Sequence, residues 1–239
     1  MSAGALLLLG LLFGMQHATE ADHLAAVATL VAREKQISQA VRQGVFWGVG
    51  HTLTLLLFGG AILVVGIVLS DRWTHALEGA VGVMLVLLGA DLVRRLHRDR
   101  VHFHVHVHVH QGEAAGGQPH LHLHSHRDEH TPHDVLAHRH EHKPVPLRAL
   151  LVGMVHGLAG SAALVLLTLE QFKSPWLGLV YVLLFGLGSV VGMALLSMIV
   201  AVPMRLSAEW LTRWHRFLNA AVALFSIGLG LRVVAQQWF

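Results

Sequence analysis

Long apolar segments separated by polar connections run along most of this 239-residue chain. About 20 consecutive apolar residues are enough for a helix to cross the hydrocarbon core of a bilayer. A hydropathy reading with that window predicts six membrane-spanning helices. They are expected at residues 3–32, 43–69, 75–96, 147–170, 175–203 and 215–236. The pattern is therefore typical of an all-α polytopic membrane protein embedded in a lipid bilayer.

The segment 97–146, between the third and fourth predicted spans, departs from this pattern. It holds 15 of the 21 histidines of the chain and the runs VHFHVHVHVH and LHLHSHRDEH. Because such low-complexity sequence has no core-forming pattern, we expect a largely disordered loop. Alternating imidazoles on an extended chain bind transition metals, and a passive linker is the alternative interpretation. The predicted auxiliary metal-binding loop comprises His102, His104, His106, His108, His110, His120, His122, His124 and His126.

The segments on either side of this loop resemble each other. Residues 11–30 align without gaps on residues 150–169, with seven identities in twenty positions, and His17 falls on His156. WGVGH at 47–51 likewise falls on FGLGS at 185–189, so that His51 corresponds to Ser189. A repeat unit of three spans is odd in number, so its second copy must be inverted in the membrane. The sequence therefore predicts two inverted three-helix repeats, residues 1–96 and 147–239, a design typical of transporters.

The charged residues are few, and their positions predict the orientation in the membrane. Only 13% of the residues are charged, whereas soluble domains average about 25%. Fourteen lysines and arginines fall on one side of the six predicted spans and three on the other. The positive-inside rule then places both termini outside and the His-rich loop in the cytoplasm. The chain has no cysteine, which excludes thiolate metal sites and cysteine nucleophiles.

The stretch HATEADH, residues 17–23, interrupts the first predicted span with two imidazoles and two carboxylates. A charge at the centre of a bilayer costs about 3 kcal/mol on insertion scales, so these groups call for a functional explanation. On a straight helix Asp22 would lie about 140° and His23 about 240° from His17, at roughly 100° per residue. Either the ligands point at several neighbouring helices, or the helix unwinds locally. We favour a break in the helix around a metal ion.

Counting from the span ends places the intramembrane histidines at similar depths. His23, His51 and His156 each lie about eight to ten residues from the cytoplasmic end of their spans, at roughly 1.5 Å per residue. The predicted transport site is therefore formed by His17, Asp22, His23 and His51, with His156 facing it from the second repeat. Imidazole and carboxylate ligands suit Ni, Co, Zn, Fe(II) and Cu.

Glu20 lies within the same stretch, and its role stays open. It could be a further metal ligand, a proton acceptor or a group that faces a cavity.

These motifs resemble those of the nickel/cobalt transporter superfamily. Its signature H-x4-D-H is matched by His17, Asp22 and His23, and WGVGHTLTLLLFG at 47–59 resembles its second motif. VHGLAGSAAL at 155–164 is similar to the second-half motif of the branch associated with urease gene clusters. The resemblance implies passage of Ni(II), with Co(II) as the second candidate, across the cytoplasmic membrane of a bacterium. It also implies that the signature residues bind the ion, which is cargo; no resident cofactor is expected.

The sequence departs from this family in one respect that bears on direction. The main uptake permeases have eight spans, whereas six spans with a long His-rich loop resemble the exporters of the family. Those exporters tend to lack the aspartate of the signature, which this chain retains as Asp22. Uptake is therefore favoured, with Ni/Co efflux on the same scaffold as the alternative.

Other classes of function are also considered. An intramembrane metalloenzyme would need HExxH or HxxxH-type clusters, which HATEADH does not supply, so we do not expect an enzyme. A membrane accessory or sensor protein that binds metal without moving it is a further alternative. No Walker motif is present, so transport would draw on an ion gradient, the membrane potential or a partner. Candidate partners are cytoplasmic nickel chaperones and urease or hydrogenase accessory proteins, and no nucleic acid is expected.

Overall fold

The structure, a computed structural model, describes residues 3–32, 34, 36–65, 70–98, 103–106, 120–123, 146–171, 174–210 and 212–238. Helices form nearly all of this. The α-helices are α1 Ala3–His17, α2 Ala21–Val31, α3 Ile37–Thr54, α4 Gly60–Val65, α5 Asp71–Arg98, α6 Leu147–Gln171, α7 Pro175–Trp210 and α8 Thr212–Trp238. A π-helical turn, Leu55–Gly59, joins α3 to α4.

Membrane-crossing potential is clearest in three of these helices. Within the described residues, Asp71–Arg98, Trp176–Leu206 and Trp214–Trp238 are long and apolar enough to cross a membrane. Shorter apolar helices occupy Leu7–His17, Ala21–Val31 and Leu147–Ala159. The predicted helical membrane architecture is thus confirmed, whereas the number of six crossings stays a prediction.

The first predicted span consists of two helices. α1 ends at His17, and α2 begins after Glu20, whose extended backbone (φ −63°, ψ 152°) ends the preceding turn. The backbone N–H groups of Thr19 and Glu20 donate to the carbonyls of Gln16 and His17, at 2.9 and 3.1 Å. The predicted break at HATEADH is therefore confirmed, and local turns satisfy part of its backbone.

The described part of the second predicted span, residues 43–65, is continuous, but its helical winding changes after Thr54. The hydroxyls of Thr52 and Thr54 donate to the carbonyls of Gly48 and Gly50, at 2.8 and 3.0 Å, as expected for threonines in an apolar helix. The π-helical turn follows directly, and such turns are frequent at functional sites. Thr52 also donates to the carbonyl of Gly186 in α7, at 3.0 Å, which ties the two helices together.

Glycines bring the helix backbones close together at two matching contacts. A Cβ at Gly14 in α1 would collide with the backbone of Phe185 in α7. A Cβ at Gly153 in α6 would collide in the same way with the backbone and ring of Trp47 in α3. In the sequence alignment Gly14 corresponds to Gly153, and Phe185 corresponds to Trp47. The contact between α1 and α7 thus has its counterpart between α3 and α6.

A second pair of contacts follows the same correspondence. Gly50 in α3 lies against the carbonyl of Leu150 in α6, and Gly188 in α7 lies against the carbonyl of Leu11 in α1. Gly50 aligns with Gly188, and Leu150 aligns with Leu11. Small residues that permit such close approach are typical of helix packing in membranes.

The largest buried cluster lies beside the helix break. It includes Val27 of α2, Trp47 of α3, Leu85 of α5 and Met193 of α7, each at most 1% exposed. α8 packs on α5, where the Ser226 hydroxyl donates to the carbonyl of Leu85 at 2.9 Å. This packing holds the polar residues of α2 and α3 in the interior.

The chain divides into two compact units, Met1–Val93 with Pro144–Phe239, and Arg94–Lys143. The second unit contains two short strands, β1 Phe103–His106 and β2 His120–Leu123, which pair antiparallel. The sequence analysis expected a largely disordered loop here and did not predict these strands. In their register His104 is opposite His122, and His106 is opposite His120. The other histidines predicted for the metal-binding loop, namely His102, His108, His110, His124 and His126, lie outside the described residues.

Candidate metal centre

His17 is the last residue of α1, and its ring faces the break. Its Nδ1 lies 2.8 Å from Oε1 of Glu20, three residues further on. Because a carboxylate can only accept, the Nδ1–H of the imidazole must donate, which leaves Nε2 as an acceptor. The His17 side chain is 19% exposed and that of Glu20 57% exposed, so this pair lies at the outer edge of the site.

Asp22 lies in the first turn of α2 and holds two other imidazoles. Its Oδ1 accepts from Nδ1 of His23 at 2.9 Å, and also from the His23 backbone N–H at 2.8 Å. Its Oδ2 lies 3.1 Å from Nε2 of His156 in α6. One carboxylate thus links the two halves of the protein.

His51 in α3 completes the group of rings. It is fully buried, as is His23, and its ring centroid lies 5.4 Å from that of His17, 5.6 Å from His23 and 5.9 Å from His156. One ligand atom each from His17, His23 and His51 lie within 4.8 Å of one another, and the same is true of Asp22, His23 and His156. The structure therefore brings together all five residues that the sequence predicted for the transport site.

Four nitrogens of these rings are buried and have no hydrogen-bond partner among the residues that the structure describes. They are Nε2 of His23, Nδ1 and Nε2 of His51, and Nδ1 of His156. A buried polar atom without a partner costs about 1–3 kcal/mol. A neutral imidazole has one lone-pair nitrogen, so His23, His51 and His156 can each offer one such atom to a divalent cation.

The spacing of the ligand atoms agrees with a transition-metal ion after a small contraction. With bonds of about 2.0–2.1 Å, two atoms on one ion lie at most about 4.2 Å apart. The ligand atoms of each group of three lie within 4.8 Å of one another, which is close to this limit. Small rotations of one or two imidazole rings would move their nitrogens by a few tenths of an ångström and bring the ligand atoms within bonding distance of one ion. That these residues bind a metal ion stays a prediction.

Two aromatic residues that the sequence reasoning did not select form walls of the site. The indole of Trp47 stacks on His23 with centroids 5.5 Å apart and lies 5.8 Å from His156. Phe185, at the matching position of the second repeat, lies 5.3 Å from His17. The alignment of WGVGH on FGLGS could have identified both residues. Each motif begins with an aromatic residue, Trp47 or Phe185, three residues before a glycine that the alignment matches in the other motif.

A polar surface opens at the break. Gln16, Thr19 and Glu20 are exposed, whereas Leu8, Leu12 and Phe13 form the exposed face of α1 before it. An ionised carboxylate facing lipid would cost about 3 kcal/mol or more, so Glu20 is compatible with a membrane segment only beside water. The site is thus buried on the side of His51 and accessible on the side of His17.

Sequence comparison gives this site a family. Urease accessory protein UreH of Bacillus sp. (strain TB-90) is 35% identical to this chain over 216 residues, which are 90% of this chain and 84% of that protein. The chain belongs to the UreH family. That relative is named as an accessory protein and no enzyme family is indicated, in agreement with the expectation that the chain is not an enzyme. The long apolar helices of the chain are those of a membrane-type member of this family.

More distant relatives of this UreH-family chain occur in plants. Chloroplast proteins FOR GROWTH AND FERTILITY 2 and 1 of Arabidopsis thaliana are each 26% identical to it, over 224 and 246 residues. The alignments cover 91% and 96% of this chain, but only 52% and 59% of the plant proteins. No protein-family model matches the chain, and no solved structure matches it.

Proposed function

We propose that this protein is a secondary transporter that moves Ni(II), with Co(II) as the second candidate, across the cytoplasmic membrane in the direction of uptake. His17, Asp22, His23, His51 and His156 form the transport site. Both termini lie outside, and the His-rich loop lies in the cytoplasm.

The observation that carries this proposal is the set of buried imidazole nitrogens without partners at a helix break. His23, His51 and His156 contribute four of them, and no described side chain satisfies them. Broken helices with a polar site between them are the usual means of ion coordination in secondary transporters. A site built mainly of neutral imidazoles favours borderline metals over Mg²⁺ and Ca²⁺, which prefer oxygen ligands.

The choice of nickel rests on kinship. The resemblance of HATEADH to the nickel/cobalt transporters points to this metal, and the urease accessory relative agrees with the branch of that superfamily associated with urease gene clusters. They also support uptake, because an accessory protein of urease would serve the supply of metal to the enzyme. Cytoplasmic nickel chaperones and urease accessory proteins are the partners that would receive the ion.

The proposed architecture is six crossings in two inverted three-helix repeats. The matching contacts, Gly14 on Phe185 and Gly153 on Trp47, support it, because an inverted repeat requires each contact to recur with the two halves exchanged. Exposed Glu20 beside His17 marks one aqueous route to the site. Closing that route while another opens beside His51 would give alternating access.

The His-rich loop is proposed to buffer or receive metal on the cytoplasmic side. The pairing of β1 and β2 supports this role, since it places His104 opposite His122 and His106 opposite His120. Directly opposite residues of an antiparallel ladder lie on the same face. The register thus pairs histidine with histidine at two positions of the hairpin.

Radiolabelled nickel uptake by cells that express the protein tests the proposal. His51→Ala and His23→Ala should reduce uptake at least about 10-fold, because each removes a ligand. His75→Ala is the matched control. His75 is an exposed histidine near the N-terminus of α5, where it contacts Gln237. Membrane insertion of each variant is checked by its amount in the membrane fraction.

Two results would contradict transport in the proposed direction. If expression raises nickel tolerance and lowers cell-associated nickel, the protein is an exporter. If the purified protein in liposomes binds nickel saturably without flux, it is an accessory or sensor protein.

A further inference from the structure

We propose that Asp22 is a positioning residue that fixes the tautomers of His23 and His156, and that the metal ion is held by imidazoles alone. This inference deepens the proposed function and rests on it. It replaces the sequence-based expectation that Asp22 is itself a metal ligand.

Both oxygens of Asp22 are already engaged by ring nitrogens. Oδ1 accepts from Nδ1 of His23 at 2.9 Å, and Oδ2 lies 3.1 Å from Nε2 of His156. Because an ionised carboxylate has no proton to donate, both ring nitrogens must carry hydrogens in this arrangement. The remaining nitrogens, Nε2 of His23 and Nδ1 of His156, are then unprotonated in the neutral rings and can bind a metal ion.

The buried atoms without partners decide between the two roles of Asp22. If Asp22 bound the ion together with Nδ1 of His23 and Nε2 of His156, the opposite ring nitrogens would stay buried and unpaired. Each would cost about 1–3 kcal/mol. If Asp22 instead orients the two rings, those same nitrogens become ligands. The second arrangement leaves fewer buried polar atoms without partners.

Glu20 stands in the same relation to His17. Its Oε1 accepts from Nδ1 of His17 at 2.8 Å, which leaves Nε2 free. Carboxylates that accept from the far nitrogen of a metal-bound imidazole are common outer partners of metal sites. The two carboxylates of HATEADH would thus orient imidazoles and balance the double charge of the ion from outside its ligand shell.

The four proposed ligands are the imidazoles of His17, His23, His51 and His156. A set of four neutral nitrogens predicts selection of Ni(II), Co(II), Zn(II) or Cu(II).

Asp22→Asn separates these roles because an amide has one acceptor oxygen and one donor nitrogen. It can satisfy the N–H of one imidazole, but its NH₂ group requires a lone pair from the other. That ring must then turn its N–H towards the metal position. Loss of an orienting partner typically weakens metal binding 10–100-fold, so we expect a decrease of about that size in nickel affinity.

The experiment uses the purified full-length protein in detergent. Nickel affinity is measured by titration, and the donor atoms at saturation are determined by X-ray absorption on the Ni-loaded protein. Asp22→Asn should bind nickel about 10–100-fold more weakly but, at saturation, show the same imidazole ligands and the same number of donor atoms as the unmodified protein. Asp91→Asn is the matched control and should bind normally, because Asp91 pairs with Arg148 at 2.7 Å, away from the site.

Three outcomes would overturn the inference. The first is a nickel affinity of Asp22→Asn equal to that of the unmodified protein. The second is one oxygen donor fewer around nickel in saturated Asp22→Asn than in the unmodified protein. The third is an ion within bonding distance of an Asp22 carboxylate oxygen in a metal-bound structure of the unmodified protein. In such a structure we expect the Asp22 oxygens to lie beyond about 3.5 Å from the ion, whereas a ligand oxygen would lie at about 2.0–2.2 Å. That measurement needs no variant, so it decides the matter even if Asp22→Asn does not fold.

Failure of the proposed function would look different. Either the unmodified protein would bind no nickel in the titration, so that the role of Asp22 towards a metal would not arise, or it would bind nickel without flux in liposomes, and the titration of Asp22→Asn would still test the inference.

Discussion

Replacing His51 with leucine should stabilise the metal-free protein while it removes the response to metal. The His51 ring is fully buried, and neither of its nitrogens has a partner among the described residues. Such atoms lower stability without contributing a contact, unless an ion occupies the space between the rings. The unpaired nitrogens therefore lower the stability of the metal-free protein but allow it to bind a metal ion, as is common at functional sites.

The magnitude follows from the two unpaired nitrogens of His51. At about 1–3 kcal/mol each they destabilise the metal-free protein by about 2–6 kcal/mol. Leucine removes both, but its different shape costs about 1–3 kcal/mol in a packed interior. The midpoints of these two ranges give a net gain of about 2 kcal/mol. It corresponds to a rise in Tm of roughly 2–4 °C per kcal/mol for a chain of this size.

Thermal unfolding in detergent, followed by tryptophan fluorescence with and without nickel, measures both effects. The unmodified protein should gain about 2.7 kcal/mol at a nickel concentration of 100 times Kd. His51→Leu should gain little, because a ligand is missing. Its Tm should exceed that of the unmodified protein only in the absence of metal.

Ser189→Ala is the control for His51→Leu, since Ser189 aligns with His51 in the repeat and is also fully buried. Its hydroxyl donates to the carbonyl of Gly14 at 3.2 Å. Removing that bond should cost about 1 kcal/mol and leave the nickel response intact. The reasoning is refuted if metal-free His51→Leu is less stable than the unmodified protein, because the ring would then contribute to packing or have its nitrogens satisfied.

Two further predictions concern the helix contacts and the loop. Gly153→Ala should destabilise the protein by about 1–3 kcal/mol and lower uptake, because its Cβ would displace Trp47. Gly228→Ala is the control, since nothing lies within 4 Å of its Cβ, and it should be neutral or stabilising by up to about 1 kcal/mol. Thermal unfolding compares the stability of the two variants. Deletion of residues 102–142 should change the apparent affinity or regulation of nickel uptake but preserve transport, as measured with radiolabelled nickel; abolished transport would place the essential site in the loop.

The helix break was predictable because it follows from angles along the helix. His17, Asp22 and His23 cannot share one face of a straight helix, and the structure ends α1 at His17 and begins α2 at Ala21. The membership of His51 and His156 in the same group followed from the internal repeat and from their similar depth. These inferences needed only periodicity and the position of polar residues among apolar ones.

The partner of each carboxylate was not predictable. Whether Asp22 contacts an ion or an imidazole depends on where His156 of α6 lies relative to α2, which a single sequence does not encode locally. The π-helical turn Leu55–Gly59 has the ordinary apolar sequence LLLFG, which carries no local signal for a change of helical winding. Trp47 was overlooked because a tryptophan in an apolar span is most often a packing residue.

The break between α1 and α2 also places two helix ends of opposite partial charge beside the site. α1 ends at His17, so its C-terminal carbonyls carry partial negative charge towards the imidazoles. α2 begins beyond Glu20 and has Asp22 in its first turn, so its N-terminal amides carry partial positive charge towards the carboxylates. Each end contributes about 0.3–1 kcal/mol, one in favour of a cation and the other in favour of ionised acids. A continuous helix through HATEADH would lack both ends, and with them a field that discriminates between a metal cation and an anionic or neutral solute before any ligand is exchanged.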